Sequence, residues 1–317
     1  MGGIWVYAEV SDGRVDPTAL ELLTKARTLG EADAVALGPG ATDAAGALGD
    51  YGAARVYASD DPVFADYIAQ PAVHALHELI QERAPELILF PTSYDARDVA
   101  GRLSARAGAP LMSNAIDLLS TSVARTAVFG GTQFVDVELR GAPRIVLVRP
   151  KSFEPQPAGG RAKVVPVAAD IPEESKRSRR VERHEEAAAG PKLEDAAVVV
   201  SGGRGLQQPS NFKLLEALAG ALGNAAVGGT RAVVDAGWVP YSYQIGQTGT
   251  TIKPSVYLAF GISGATQHVV GMKGAKQIVA VNKDEDAPIL QIADLGVVGD
   301  ALAILPALIE EVKARKG

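Results

Sequence analysis

The sequence contains no cysteine, which excludes disulfides, thiolate-bound zinc, iron–sulfur clusters and a cysteine nucleophile in one step. Any redox chemistry therefore needs a bound cofactor. Histidine is scarce too: only His74, His77, His184 and His268 occur in 317 residues. His74 and His77 stand three apart on an expected helix without a cysteine or acidic partner at metal spacing, so both read as structural or surface residues and no metal is expected. No apolar run approaches the roughly 18 residues that cross a bilayer. The first ten residues enter strand-like sequence directly, without the basic and then apolar segments of a leader. A cytoplasmic chain without direct membrane insertion is expected. The formal net charge is −6, and lysine and arginine are scattered rather than banked, so no nucleic-acid partner is expected either.

Hydrophobic residues make up 47% of the chain and charged residues 21%. That is ample material for packed cores, and the length exceeds what one core usually sustains. Apolar runs at residues 4–9, 32–37, 55–58 and 87–90 alternate with helical patterns such as residues 17–29, where Pro17 suits a first turn. This rhythm predicts a parallel, doubly wound sheet. After Pro110, residues 123–129, 132–137 and 144–148 are rich in β-formers and separated by Gly130-Gly131 and Gly141-Ala142-Pro143, which predicts added antiparallel strands. Residues 173–186 mix acids and bases as a solvated face does. Gly190-Pro191 then breaks the chain, and a domain boundary is placed there, giving an N-terminal α/β domain at 1–189 and a C-terminal domain at 190–317.

Chemistry concentrates in the second half. Residues 196–200 lead into Ser201-Gly202-Gly203-Arg204-Gly205, and residues 211–222 read as a helix. Strand, glycine turn and helix is the order in which backbone N–H groups turn toward a phosphate. Gln208 stands where the dinucleotide fingerprint has its third glycine, and no Walker lysine follows, so the ordinary dehydrogenase and ATPase readings lose ground. A second break, Gly228-Gly229-Thr230-Arg231, is expected to hold a guanidinium beside a tight turn, able to pair with a phosphate, lie on a planar ring or tie down a loop carboxylate. Two further polar loops follow, Gln244-Ile245-Gly246-Gln247-Thr248-Gly249 and Gly261-Ile262-Ser263-Gly264-Ala265-Thr266-Gln267-His268. With one buried strand between them, both reach the same sheet edge. Ser263 lacks the second spaced glycine of a nucleophile elbow, which argues against a serine hydrolase.

These motifs, together with Ala232-Val233-Val234-Asp235 and Val281-Asn282-Lys283-Asp284, resemble the alpha (large) subunit of electron transfer flavoproteins across residues 196–316. In the first half the best local likeness is Gly101-Arg102-Leu103-Ser104-Ala105-Arg106. The resemblance implies FAD in a C-terminal Rossmann-like domain with a parallel sheet, and an N-terminal domain that packs on a homologous beta (small) subunit holding AMP or a second FAD. It assigns Arg204 and Ser263, Gly264, Ala265, Thr266 and Gln267 to the pyrophosphate, and Asn282 and Asp300 to the ribose and adenine end. Arg231, Thr248 and His268 fall around the isoalloxazine, with Thr230, Gln244, Gln247 and Gly249 beside it.

The implied function is an electron carrier without a substrate of its own. Electrons come from flavin dehydrogenases such as acyl-CoA dehydrogenases of fatty acid β-oxidation and leave singly, through an anionic semiquinone, to a quinone oxidoreductase or another acceptor. A fixed cation near the ring favours its reduced form. One charge-assisted hydrogen bond of about 1.5–3 kcal/mol corresponds to roughly 60–130 mV in a one-electron potential, so Arg231 is expected to matter most. His268 is expected to donate to the ring and take up charge, or to act as a neutral structural donor. The competing readings are a Rossmann-type NAD(P)- or FAD-dependent oxidoreductase with its own small substrate, and a nucleotide-sensing module on residues 1–189.

Overall fold

A computed structural model describes residues 3–11, 13–131, 133–168, 170–182 and 190–316. The chain divides into two compact units, Met1–Arg183 and His184–Gly317. The expected boundary, between residues 189 and 190, stands at the end of residues 183–189, which include His184 and lie outside the described residues.

In the N-terminal unit, β1 (Ile4–Ala8), a short ribbon of β2 (Val10–Ser11) and β3 (Arg14–Val15), α1 (Pro17–Leu29), β4 (Ala32–Leu37), α2 (Ala45–Asp50), β5 (Ala53–Ser59), α3 (Val63–Asp66), α4 (Gln70–Arg83), β6 (Leu87–Pro91) and α5 (Tyr94–Ala107) follow in turn. Then come β7 (Leu111–Leu118), β8 (Val123–Val128), β9 (Gln133–Glu138), β10 (Arg144–Val148) and β11 (Lys163–Pro166). Local chemistry sets the helix starts. Asp16 caps α1 by accepting the Thr18 N–H at 2.8 Å, just ahead of Pro17, and the Ser93 hydroxyl caps α5 at the Ala96 N–H, which satisfies donors that have no partner inside the helix. The sheet order is β11-β5-β4-β1-β6-β10-β7-β8-β9. One face buries Leu22, Leu23 and Leu48, and the other buries Trp5, Leu76 and Leu103.

One expectation is corrected here. Residues 144–148 were read as antiparallel, yet β10 lies parallel between β6 and β7, in register from Arg144↔Leu87 to Val148↔Pro91. Ile145, Val146, Leu147 and Val148 are all at most 3% exposed. A strand covered on both faces is a continuous apolar run, as parallel strands are, rather than an alternating one. The antiparallel addition is β7–β8–β9. The charged strap after residue 173 is tied down where described, with the Ile68 N–H on the Ser178 carbonyl and Arg180 paired with Asp95.

The C-terminal unit comprises β12 (Val198–Gly202), α6 (Phe212–Leu222), β13 (Ala225–Gly229), α7 (Arg231–Asp235), β14 (Val256–Phe260), α8 (Thr266–Met272), β15 (Gln277–Asn282), α9 (Pro288–Gln291), β16 (Leu295–Val298) and α10 (Ala301–Lys316). Its five strands are all parallel, in the order β13-β12-β14-β15-β16, a doubly wound Rossmann-like sheet. α6 buries Phe212, Leu215, Leu218 and Ala219, one stripe at helical spacing. They join Leu305 and Ile309 of α10 on one face of the sheet, while Tyr257, Met272 and Ile289 fill the other. Among the described residues no helix is long and apolar enough to cross a membrane.

Candidate FAD-binding edge

In an open doubly wound sheet the loops diverge where the strand order reverses, and ligands bind outside the carboxyl ends of the strands at that point. Here the reversal lies between β12 and β14. Arg204 follows β12, Thr230 and Arg231 follow β13, residues 263–267 follow β14, Asn282 ends β15 and Asp300 follows β16. The fold therefore delivers all of these positions to one edge. Residues 244–249 reach it because the Ile245 N–H donates to the Gly229 carbonyl at 3.0 Å, which carries the loop on from β13.

Glycine makes the close approaches at this edge possible. A Cβ on Gly203 would stand 2.4 Å from the Gly261 carbonyl oxygen, and one on Gly205 would stand 2.6 Å from Gly261 Cα. The expected phosphate role of these two N–H groups is corrected: Gly203 donates to Phe260 and Gly205 to Gly261, each at 3.0 Å. The turn leads into two 3-10 turns before α6 rather than opening that helix. A Cβ on Gly246 would meet the Gln267 carbonyl at 2.7 Å, and one on Gly249 the Gln244 carbonyl at 2.3 Å, while the Gln247 N–H donates to that Gln267 carbonyl. Loop 244–249 is thereby clamped onto the start of α8.

The side chains sort into an exposed set and a spent set. Arg204, Gln247, Thr248, Ser263, Thr266 and Gln267 are exposed, as is Ala265 on the same turn, and Arg204 forms no ion pair among the described residues. Gln244 is buried; its amide donates to the Thr248 hydroxyl at 3.0 Å and orients it. Asn282 is occupied within the chain, donating to the Ile262 carbonyl and accepting from the Asp284 N–H. Asp300 accepts the Leu302 N–H and pairs with Lys283 at 3.0 Å; the N–H first and then the ammonium hold its carboxyl below the usual carboxylate range. Gly264, with φ +86°, abuts Ile289.

Two sequence expectations change. Gly228 and Gly229 end β13, paired with Ser201 and Gly202 of β12, rather than forming a turn, and glycine is needed at 228 because a Cβ there would stand 2.3 Å from Ile245 Cδ1. Arg231 consequently starts α7 on a free helix surface, exposed, with its Nε 3.1 Å from Asp235 Oδ2. This is the carboxylate-tying alternative. His268 is 6% exposed, with Nδ1 3.0 Å from the Ile245 carbonyl and Nε2 2.7 Å from the Tyr257 hydroxyl. A carbonyl only accepts, so Nδ1 carries the proton and Nε2 accepts from Tyr257. Burial pulls the imidazole pKa down to about 4 against the opposing pull of that carbonyl. Of the two expected roles, the neutral structural donor is the one these contacts supply.

Comparison with known proteins gives the family. Residues 192–273 match the electron transfer flavoprotein FAD-binding domain and residues 4–173 the electron transfer flavoprotein domain. The electron transfer flavoprotein subunit alpha of Mycobacterium leprae is 42% identical over 314 residues, covering 98% of this chain and 98% of that one. That of Mycobacterium tuberculosis H37Rv is 42% identical over 319 residues and covers both chains in full. The protein of the same name from Syntrophomonas wolfei is 38% identical, covering 99% of this chain. This chain belongs to the electron transfer flavoprotein alpha-subunit family. Its cofactor is FAD.

The exposed donors suit that group. Guanidinium, hydroxyl and amide donors outnumber exposed carboxylates on the loops after β12 and β14, as a doubly charged pyrophosphate and a polar ring edge require. Sequence reasoning missed Tyr257 and Tyr241. Tyr257 lies inside the apolar strand Val-Tyr-Leu-Ala-Phe and reads as core, and the Tyr241 hydroxyl donates to the Thr248 carbonyl across a turn that spacing does not disclose.

Proposed function

We propose that this family member is the FAD-carrying large subunit of a heterodimeric, cytoplasmic electron carrier. Its C-terminal domain, residues 190–317, holds the flavin, and its N-terminal domain, residues 1–189, packs on a homologous small subunit that holds AMP or a second FAD. Electrons arrive from flavin dehydrogenases, acyl-CoA dehydrogenases among them, and leave singly to a quinone oxidoreductase or another acceptor. The observation that carries this reading is the gathering of exposed Arg204, Thr248, Ser263 and Gln267 at the switch point of a parallel sheet, within the segment that matches the family's FAD-binding domain.

When bound, FAD supplies a ring that accepts electrons in pairs and releases them one by one. Arg204 and residues 263–267 bind its pyrophosphate. Asn282 and Asp300, whose side chains are spent on Ile262, Asp284, Leu302 and Lys283, shape the adenine end through the loops they hold. Thr248, set by Gln244, and Gln247 address the ring with Thr230 and Gly249 alongside. Arg231 exchanges its exposed Asp235 pairing for the ring; such an exposed pair is worth only about 0.3–0.5 kcal/mol, so the exchange costs little.

The test is co-expression with the small subunit, followed by stopped-flow reduction with an acyl-CoA dehydrogenase and its substrate. A yellow complex that is reduced by the dehydrogenase and reoxidised in one-electron steps by a quinone oxidoreductase is expected. A complex without flavin, or an isolated chain that turns over NAD(P)H with a small substrate of its own, overturns the reading.

A further inference from the structure

The FAD edge rests on a buried polar brace that none of the flavin-facing residues explains. Tyr257 sits mid-strand in β14 with no exposure, in one buried cluster with Ile245, Ile262 and Met272, each at most 1% exposed. Burial raises its phenol pKa well above the ordinary value, so the hydroxyl keeps its proton and donates. The acceptor within reach is His268 Nε2, at 2.7 Å. The opposite ring nitrogen meets the Ile245 carbonyl at 3.0 Å, and Ile245 belongs to the loop that presents Gln244, Gln247 and Thr248.

We propose that Tyr257 is a positioning residue for the flavin edge: its hydroxyl donates to His268 Nε2 and anchors the imidazole where its Nδ1–H, the tautomer selected by the Ile245 carbonyl, holds loop 244–249 in place. The inference rests on the FAD-binding reading above. The opposite tautomer would set the Nδ1 lone pair against the carbonyl lone pairs at 3.0 Å, a repulsive contact in a dry core. Without the phenol donor the Ile245 carbonyl still selects that tautomer, but the buried Nε2 is left an acceptor without a donor, and the imidazole loses what anchors it in place.

The experiment uses the full chain in complex with its small subunit, with histidine labelled in the heavy nitrogen isotope, and reads the ring nitrogens of His268 by NMR. A single Nδ1–H tautomer at neutral pH is expected, with FAD bound and with FAD removed. A ring-fluorinated tyrosine introduced at position 257 donates more strongly at almost unchanged volume and should shift the Nε2 resonance, which a merely space-filling ring would not do. Tyr257→Phe should keep the Nδ1–H tautomer, move the Nε2 resonance to that of a nitrogen without a hydrogen-bond donor, and weaken FAD binding about tenfold, the scale of one buried hydrogen bond. An Nε2–H or doubly protonated ring in the unmodified chain, or an Nε2 resonance indifferent to fluorination, overturns the proposal even if Tyr257→Phe fails to fold. A complex whose His268 resonances behave as described but which takes up no FAD overturns the flavin reading instead, and with it the role assigned to the brace.

Discussion

Alanine at Gly205 would put a methyl group where the neighbouring loop already is. Its Cβ would stand 2.6 Å from Gly261 Cα, 2.8 Å from the Gly261 carbonyl oxygen and 3.1 Å from the carbonyl carbon. All three are backbone atoms, so no side-chain rotation relieves the contact. Restoring an ordinary separation of about 3.5–4.0 Å requires the loops after β12 and β14 to part by about 1 Å. That movement breaks the 3.0 Å hydrogen bond from the Gly205 N–H to the Gly261 carbonyl. Overpacking of this kind costs about 1–3 kcal/mol, and the hydrogen bond about 1 kcal/mol. If about 2 kcal/mol of this is felt at the pyrophosphate loop, FAD binds roughly 30-fold more weakly. The assay is fluorescence titration of the flavin-stripped complex with FAD, alongside thermal unfolding. Gly220→Ala is the control: it lies within α6, its Cβ would meet nothing within 4 Å, and about 0.5–1 kcal/mol of added stability is expected. A Gly205→Ala complex that melts at the wild-type temperature and binds FAD within twofold of wild type would refute the argument that glycine-to-glycine packing builds this edge.

Three further outcomes are expected. Glu21 is 2% exposed with Oε2 unpartnered, and burial raises its pKa to about 7 against the pull of Lys151 and the backbone of Phe153 and Lys151. Its carboxyl favours folding below its unfolded value of 4.5, and that advantage is lost as pH rises through 7; Glu21→Gln should therefore add about 2–3 kcal/mol at pH 8 and little at pH 4 in urea unfolding. His268 acts with the opposite sign. Its pKa falls from 6.5 to about 4 on folding, so roughly 3 kcal/mol of stability present above pH 6.5 should drain away as pH falls to 4, and His268→Asn should flatten that slope; an unchanged slope contradicts the neutral, buried imidazole. Arg231→Ala should leave unfolding within about 0.5 kcal/mol of wild type, because the Asp235 pair is exposed, while lowering the first one-electron potential of the bound flavin by about 60–130 mV. A potential unmoved by that substitution rejects the role proposed for the guanidinium.

How much of this was legible beforehand depends on the kind of signal. The alternation of apolar runs and helical stripes discloses the doubly wound units, because burial of each strand is written into its own residues. Pairing direction is not local. Residues 144–148 follow two antiparallel strands and a Gly-Ala-Pro turn, yet β10 crosses to the sheet centre, and only its unbroken apolar run hints at that. Motif spacing places Arg204, Arg231, residues 244–249 and residues 263–268 at one edge, since each directly follows a strand or continues from one. What each group does there depends on its spatial neighbour. The N–H groups of Gly203 and Gly205 look free for phosphate until Phe260 and Gly261 are seen to accept them. Gly228-Gly229 looks like a turn until Ile245 is found where side chains would be. His268 looks like a titrating ligand until Tyr257, eleven residues earlier and inside an apolar strand, is found on its Nε2.

Backbone hydrogen–deuterium exchange of the full complex with and without FAD tests most directly whether the carboxyl edge of β12–β16 is the flavin site. Protection on adding FAD is expected in residues 203–206, 230–231, 244–249 and 261–268, with no change in the loops that follow β1, β4 and β6. Protection that appears in those N-terminal loops and leaves residues 244–249 and 261–268 exchanging as before would contradict it.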